Sequence, residues 1–141
     1  MKIGIIGTGS VGSALGRGFA RTGHEVVFGV RDTDKPEVRK LVEETGARAA
    51  SVAEAASGAE VVVLAMPWGA AQDVIRTAGG LDGKIDFDCI NPLNATYSGL
   101  DTGGARSAAE QVASWAPGAR VVKVFNSTGA GNMADPRYGD N

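Results

Sequence analysis

Three glycines near the start of the chain, Gly7, Gly9 and Gly12, have the spacing of a loop that binds a phosphate group. They follow an isoleucine-rich run at residues 3–6 that predicts a buried strand, and apolar residues at helical spacing come after them. Gly7 can adopt the tight turn, Gly9 has no side chain to hold a pyrophosphate off the backbone, and Gly12 lets the helix approach the sheet. Because the amides at a helix N-terminus attract anions, this context predicts dinucleotide binding rather than an ordinary glycine-rich turn. The predicted contacts are Gly7, Thr8, Gly9, Ser10, Val11 and Gly12.

The residues after the second predicted strand, residues 25–30, indicate which nucleotide the loop would hold. An NAD-preferring site usually has an acidic residue there, about 20 residues after the glycines, whereas this chain has Arg31. A guanidinium pairs well with a phosphate dianion, and Thr8 and Lys35 can add contacts, so we predict NADP rather than NAD. Asp32 is an alternative ribose ligand, provided that the strand runs one or two residues further. The alternative for Arg31 is a solvated surface charge at the end of a strand, and the alternative for Lys35 is an ordinary lysine at the start of a helix.

The remaining chain alternates between strands and helices. Strands are predicted over residues 3–6, 25–30, 48–50, 60–65, 84–90 and 120–125, and helices over residues 10–22, 35–45, 51–58, 69–78 and 106–115. This alternation predicts an α/β fold, a Rossmann-type doubly wound parallel sheet that forms one NADP-binding domain over residues 1–141. The stretch after residue 125 is rich in Gly, Asn and Asp, and no helix is predicted in it. We expect the chain to lack a C-terminal part of the natural protein.

The carboxyl ends of parallel strands form the ligand-binding edge of such a sheet, so the polar and strand-breaking residues there are candidate contacts. Asn126 can donate a hydrogen bond to the nicotinamide amide or to the hydride acceptor, or it can simply start a turn. Trp68 can flank a cofactor ring, or it can pack under the helix that follows. At these strand ends we predict nucleotide contacts by Ala65, Met66, Pro67, Asn91 and Asn126.

The composition argues against several classes of function. A net charge of -2 over 141 residues provides no basic surface for nucleic acid. No apolar run reaches the ~18 residues that span a bilayer, and Met1 leads straight into the first strand, so we expect a cytoplasmic protein. Cys89, the only cysteine, lies in an apolar stretch and is predicted to be a small buried residue rather than a catalytic thiol. His24, the only histidine, is predicted to be a solvated loop residue, and no metal site is predicted.

With these motifs read in order, the chain resembles the NADP oxidoreductases dependent on coenzyme F-420, the 8-hydroxy-5-deazaflavin:NADPH oxidoreductase family. The motifs that carry the resemblance are residues 7–12, 30–31, 65–68, 106–110 and 124–126. The resemblance implies that Thr8, Arg31 and Lys35 surround the 2'-phosphate of NADP. It also implies that residues 66–68 border the nicotinamide and that residues 91–93 face the deazaflavin.

In this family the hydride passes directly between the nicotinamide and the deazaflavin, so the resemblance implies no obligatory catalytic side chain. It also implies a homodimer. Residues 126–133 look more like a broad bacterial branch whose substrates are mostly unassigned, and the family's C-terminal strands and helix have no counterpart here. A deazaflavin and another hydride acceptor therefore stay open as alternatives.

Two other readings of the sequence stay open. One is an NADP-dependent reductase of a small metabolite, of the pyrroline-carboxylate or 3-hydroxyacid dehydrogenase type. Such enzymes take a catalytic Lys, Ser or Thr from a later helical domain, which this sequence does not contain. The other is a non-catalytic module that binds or senses NADPH.

Overall fold

The computed structural model describes residues 1–104 and 106–137, and within them six parallel strands form one sheet. The strands are β1 (Lys2–Ile6), β2 (Glu25–Gly29), β3 (Arg48–Ala50), β4 (Val61–Leu64), β5 (Ile85–Asp88) and β6 (Arg120–Lys123). Their order across the sheet is β3-β2-β1-β4-β5-β6, and every neighbouring pair is parallel. The order reverses between β1 and β4, which opens a crevice beyond these two strands. This topology confirms the predicted Rossmann-type fold.

Helices connect the strands and cover both faces of the sheet. They are α1 (Ser10–Arg21), α2 (Pro36–Thr45), α3 (Val52–Ser57), α4 (Trp68–Ala78), α5 (Ala108–Trp115) and α6 (Ala130–Ala134). The helix α3 begins with the predicted capping box, in which Ser51 Oγ accepts a hydrogen bond from the Glu54 amide at 3.3 Å. None of the described helices is long and apolar enough to cross a membrane.

The core lies in two layers, one on each side of the sheet. Leu15 of α1 and Leu41 of α2 pack with Ile5 on one face, whereas α3, α4 and α5 pack on the other face around Val62 and Leu64. All four residues of β4 are buried. The strand β4 is therefore covered on both faces of the sheet, as its continuous apolar run predicts.

Most predicted boundaries agree with the structure to within two or three residues, and the main difference lies at the C-terminal end. The helix α6 occupies part of the stretch in which the sequence predicts none. Its five residues include Gly131 and Asn132, which have poor helix propensity, so tertiary contacts must stabilise it. Met133 packs against the core, and Arg21 Nη2 donates a hydrogen bond to the Ala134 carbonyl at 2.8 Å. The predicted domain extends to residue 141, and its residues 105 and 138–141 lie outside the described part.

Candidate functional site

The glycine loop between β1 and α1 has the open geometry that phosphate binding requires. Gly7 has a φ of 105°, which only glycine adopts without strain, and α1 begins at Ser10 with Gly9 as its N-cap. No side chain caps the start of this helix. A Cβ atom built on Gly9 would meet no heavy atom within 4 Å, so open space adjoins the loop at the place where the first-turn amides lack helical acceptors. An anionic group fits this position.

Gly12 serves a different purpose from Gly9, because it lies beneath the loop. A Cβ atom at Gly12 would come within 2.0 Å of the Gly7 carbonyl oxygen. Only glycine therefore lets the first turn of α1 pack against the end of β1, as the sequence predicts. Direct contacts of Ser10, Val11 and Gly12 with a nucleotide stay predictions.

A cleft of about 310 Å³ lies at the carboxyl ends of β1, β2 and β4. It brings together residues from four separate parts of the chain, which are residues 6–9, residues 29–38, Val52 and residues 65–74. Eight of the predicted contact residues line it: Gly7, Thr8, Gly9, Arg31, Lys35, Ala65, Met66 and Pro67. The other five predicted contacts, Ser10, Val11, Gly12, Asn91 and Asn126, lie outside its lining.

At the β2 end of the cleft, the cations Arg31 and Lys35 are exposed, and neither is ion-paired with another described residue. Asp32 and Glu37 line the same end. The strand β2 ends at Gly29, one residue earlier than predicted, so the condition under which Asp32 would become the ribose ligand is not met. Instead, Asp32 Oδ1 accepts a hydrogen bond from the Asp34 amide at 2.9 Å.

At the β4 end, Met66 and Pro67 line the cleft but Trp68 does not. The Trp68 ring packs on Trp115 of α5 with centroids 5.2 Å apart. Its Nε1 donates a hydrogen bond to the Asp101 carbonyl at 2.5 Å. The packing alternative for Trp68 is therefore the one that the structure supports. The aromatic pair joins α4 to α5, and the hydrogen bond to Asp101 holds the loop after β5 against α4.

Asn91 and Asn126 meet at the carboxyl ends of β5 and β6, where Asn126 Nδ2 donates a hydrogen bond to Asn91 Oδ1 at 2.8 Å. Three ionisable residues of the adjoining strands β5 and β6, Asp86, Asp88 and Lys123, carry no prediction from the sequence. Asp88 Oδ2 lies 3.2 Å from Lys123 Nζ. The residues of β5 alternate between apolar and acidic, a pattern that is usual for a strand with one solvent-exposed face. In a sheet covered on both faces, the same pattern instead signals two buried carboxylates.

Burial raises the pKa of two groups in this region. Desolvation, together with the nearby charge of Asp88, raises the pKa of Asp86 to about 7. No described group donates a hydrogen bond to either carboxylate oxygen of Asp86. Desolvation also raises the pKa of the Cys89 thiol to about 12, so Cys89 is a buried, unreactive residue, as predicted.

A larger groove of about 500 Å³ lies between α1 and α6, lined by apolar residues such as Leu15, Phe19 and Met133. None of the predicted nucleotide contacts lines it. We assign the site to the smaller cleft, because only that cleft combines the helix N-terminus, exposed cations and the ends of the central strands.

Comparison with known proteins identifies the family of this chain. Residues 2–92 match the family described as NADP oxidoreductase coenzyme F420-dependent. The F420-dependent NADP reductase of Methanothermobacter thermautotrophicus is 34% identical over 96% of this chain, and its counterpart from Methanothermobacter marburgensis is 31% identical over 96%. The chain spans 65% of the length of the first relative and 67% of the second.

Among solved structures, a crystal structure from an Arthrobacter species, described as a candidate F420-dependent NADP reductase, superposes with a TM-score of 0.89. The two are 35% identical, and the match covers 96% of this chain and 67% of that one. The match of the family model to well over half of the chain, with the glycine loop and β4 end inside it, shows that the chain belongs to the coenzyme F420-dependent NADP oxidoreductase family.

Proposed function

We propose that this chain binds NADP(H) in the cleft and transfers a hydride between NADP(H) and a deazaflavin, coenzyme F420. The observation that supports this most is the combination of an uncapped helix start at Gly9 with the exposed cations at the end of β2. The first suits a pyrophosphate, and the second suits the 2'-phosphate that distinguishes NADP from NAD. The F420-dependent reductases among its relatives support the choice of the acceptor.

The 2'-phosphate is assigned to Arg31, with Thr8 and Lys35 as further contacts. A guanidinium presents several N–H groups in one plane and can donate two parallel hydrogen bonds to a phosphate. Arg31 has no carboxylate partner among the described residues within ion-pair distance, so it need not break a bond to bind the phosphate. Because Asp32 and Glu37 also line this end, loss of Arg31 would leave a site that repels the dianion more strongly.

The nicotinamide half is assigned to the β4 and β5 side of the crevice, where Ala65, Met66, Pro67, Asn91 and Asn126 are the proposed contacts. When bound, NADPH supplies a hydride from the nicotinamide C4, and the deazaflavin takes up that hydride and one proton from solution. The chain's own residues hold and orient the nucleotide, and the apolar side chain of Met66 helps to exclude water. No side-chain acid or base is required for a direct hydride transfer.

Calorimetry with NADP+ and NAD+ tests the nucleotide assignment. We expect the unaltered chain to prefer NADP+, and Arg31→Ala to lose most of that preference. Arg39→Ala is the matched control, because Arg39 carries the same charge on nearby α2 but pairs with Asp34 at 2.7 Å and does not line the cleft. Equal losses of NADP+ and NAD+ affinity in Arg31→Ala would contradict the assignment.

Deazaflavin reduction, followed by loss of its visible absorbance with NADPH or NADH, tests the acceptor. Turnover with NADPH supports the proposed activity. Tight NADP+ binding without turnover would instead favour the non-catalytic module, and turnover only with a small carbonyl or imine compound would favour the metabolite reductase. A homodimer and a cytoplasmic location stay predictions, which sedimentation analysis and cell fractionation would test.

A further inference from the structure

The turn that follows β5, residues 89–91, lies at the carboxyl edge of the sheet beside the end of β4. The Cys89 amide donates a hydrogen bond to the Leu64 carbonyl at 3.1 Å, which extends the pairing of β5 with β4 by one residue. Beyond this bond the turn is held from the other side, by side chains of β6 and of the segment that follows it. The position of its backbone therefore depends on residues more than 30 positions away in the chain.

Asp88 and Lys123 bond to the same residue of the turn from two directions. Asp88 is fully buried, and its Oδ1 accepts a hydrogen bond from the Ile90 amide at 2.9 Å. Lys123 Nζ lies 3.2 Å from Asp88 Oδ2 and also donates a hydrogen bond to the Ile90 carbonyl. The amide and the carbonyl of Ile90 are thus both fixed by one ion pair.

Strained backbone beside this ion pair suggests that the arrangement matters for function. Phe125 has a φ of 67°, which side-chain-bearing residues adopt at a cost of about 1 kcal/mol or more. The left-handed turn at Phe125 precedes Asn126, whose Nδ2 bonds Asn91 Oδ1 and lies 3.4 Å from the Ile90 carbonyl oxygen. Strained backbone conformations of this kind concentrate at functional sites, where binding or catalysis requires the unusual geometry.

We propose that Asp88 and Lys123 are positioning residues, which hold the turn at residues 89–91 against the nicotinamide half of the bound nucleotide. The inference rests on the proposed function, because it needs that half of NADP to lie on the β4 and β5 side. A buried ion pair adds little net stability by itself, since desolvation offsets most of the attraction. Its two bonds to Ile90 give this pair a specific task, which is to fix where the Ile90 and Asn91 backbone lies.

The proposal predicts a selective effect on two ligands. NADP+ spans both halves of the site, whereas adenosine 2',5'-bisphosphate occupies only the adenosine half near Arg31. In Lys123→Met we expect the Kd for NADP+ to rise about tenfold, the equivalent of one charged hydrogen bond, while the Kd for the bisphosphate stays within about twofold. Isothermal titration calorimetry measures both.

Lys84→Met is the matched control. Lys84 Nζ also donates to two backbone carbonyls, those of Ser57 at 3.1 Å and Ala59 at 2.7 Å, but it precedes β5 and so lies at the opposite edge of the sheet. We expect this variant to lose stability without changing the ratio of the two Kd values. The same selective loss of NADP+ affinity in Lys84→Met would overturn the proposal, because it would show a general effect of losing a lysine.

Two further variants separate positioning from folding. In Lys123→Met the buried Asp88 charge is left unpaired, so the variant can fail to fold; the double variant Asp88→Asn, Lys123→Met removes that charge and keeps an acceptor for the Ile90 amide. We expect the double variant to be more stable in urea than Lys123→Met, while its NADP+ binding stays weak. In Lys123→Arg, which keeps the positive charge, we expect NADP+ binding close to that of the unaltered chain.

The outcomes distinguish this inference from the proposed function. Normal NADP+ affinity in the double variant, or equal losses for both ligands, would overturn the inference alone. Failure of the unaltered chain to bind either ligand would overturn the proposed function and the inference with it.

Discussion

Replacing Asp86 by Asn should change how the stability of this protein depends on pH. Asp86 is fully buried, and Val62 of β4 and Val121 of β6 flank it in the sheet. The charged groups that share its face of β5 and β6 are Asp88 and Lys123, and Lys123 Nζ lies 3.2 Å from Asp88 Oδ2. Burial and the nearby charge of Asp88 therefore favour the protonated form of Asp86, which is the reason that its pKa rises to about 7.

The magnitude follows from linkage. The folded pKa of about 7 lies above the ordinary value of 3.8, so between these values the folded chain binds more protons than the unfolded chain. Stability must then fall as the pH rises through this window and level off above pH 7. The full difference corresponds to about 4 kcal/mol, of which about 3 kcal/mol is lost between pH 5 and pH 8.

Urea unfolding at pH 5 and pH 8, at constant ionic strength, measures this loss. Other groups titrate in the same range, so the quantity to compare is the difference between the unaltered chain and Asp86→Asn at each pH. Asn has nearly the shape of protonated Asp but no charge, so its cost does not vary with pH. We expect Asp86→Asn to gain about 3 kcal/mol relative to the unaltered chain on going from pH 5 to pH 8. Asp73→Asn, an exposed carboxylate on α4, should show no comparable gain.

A difference between the two proteins that stays constant within about 0.5 kcal/mol from pH 5 to pH 8 would refute the reasoning. It would mean that Asp86 is charged in the folded chain at neutral pH. A charged form stabilised by a partner would give the same constant difference, because Asp86 would then be ionised in both the folded and the unfolded chain above pH 5.

The remaining predictions concern the loop, the phosphate contact and a helix cap. Gly9→Ala should leave stability unchanged, since its Cβ meets open space, yet weaken NADP+ binding in calorimetry; retained affinity would contradict the assigned pyrophosphate position. Gly12→Ala should weaken NADP+ binding and, unlike Gly9→Ala, should also lower the stability measured by urea unfolding, because its Cβ would lie 2.0 Å from the Gly7 oxygen. Arg31→Ala should weaken NADP+ binding about 10- to 100-fold with little change for NAD+, the loss expected for charged hydrogen bonds to phosphate. Ser107→Ala should cost about 1 kcal/mol by urea unfolding, since it removes the α5 capping box, whereas Ser114→Ala in the same helix should cost less.

Local patterns in the sequence were sufficient for the order of the elements and for most of the phosphate loop. The glycine spacing, the apolar run of β4 and the capping box at Ser51 each depend on residues within a few positions of one another. The periodicity of apolar residues and the capping motifs of helices involve only residues that are close together in the chain, so a single sequence reveals them. The alternating strands and helices then restrict the fold to a parallel sheet with a ligand edge at the carboxyl ends of its strands.

The tertiary structure decided the features that depend on which elements become neighbours. Trp68 packs on Trp115 and not on the cleft, and α6 is stable only through its contacts with α1 and the core. Lys123 pairs with Asp88 because β6 lies beside β5 in the sheet, which places residues 35 positions apart within 3.2 Å. Side-chain partners across a sheet follow from strand order and register, and the strand order depends on how distant segments of the chain pack together.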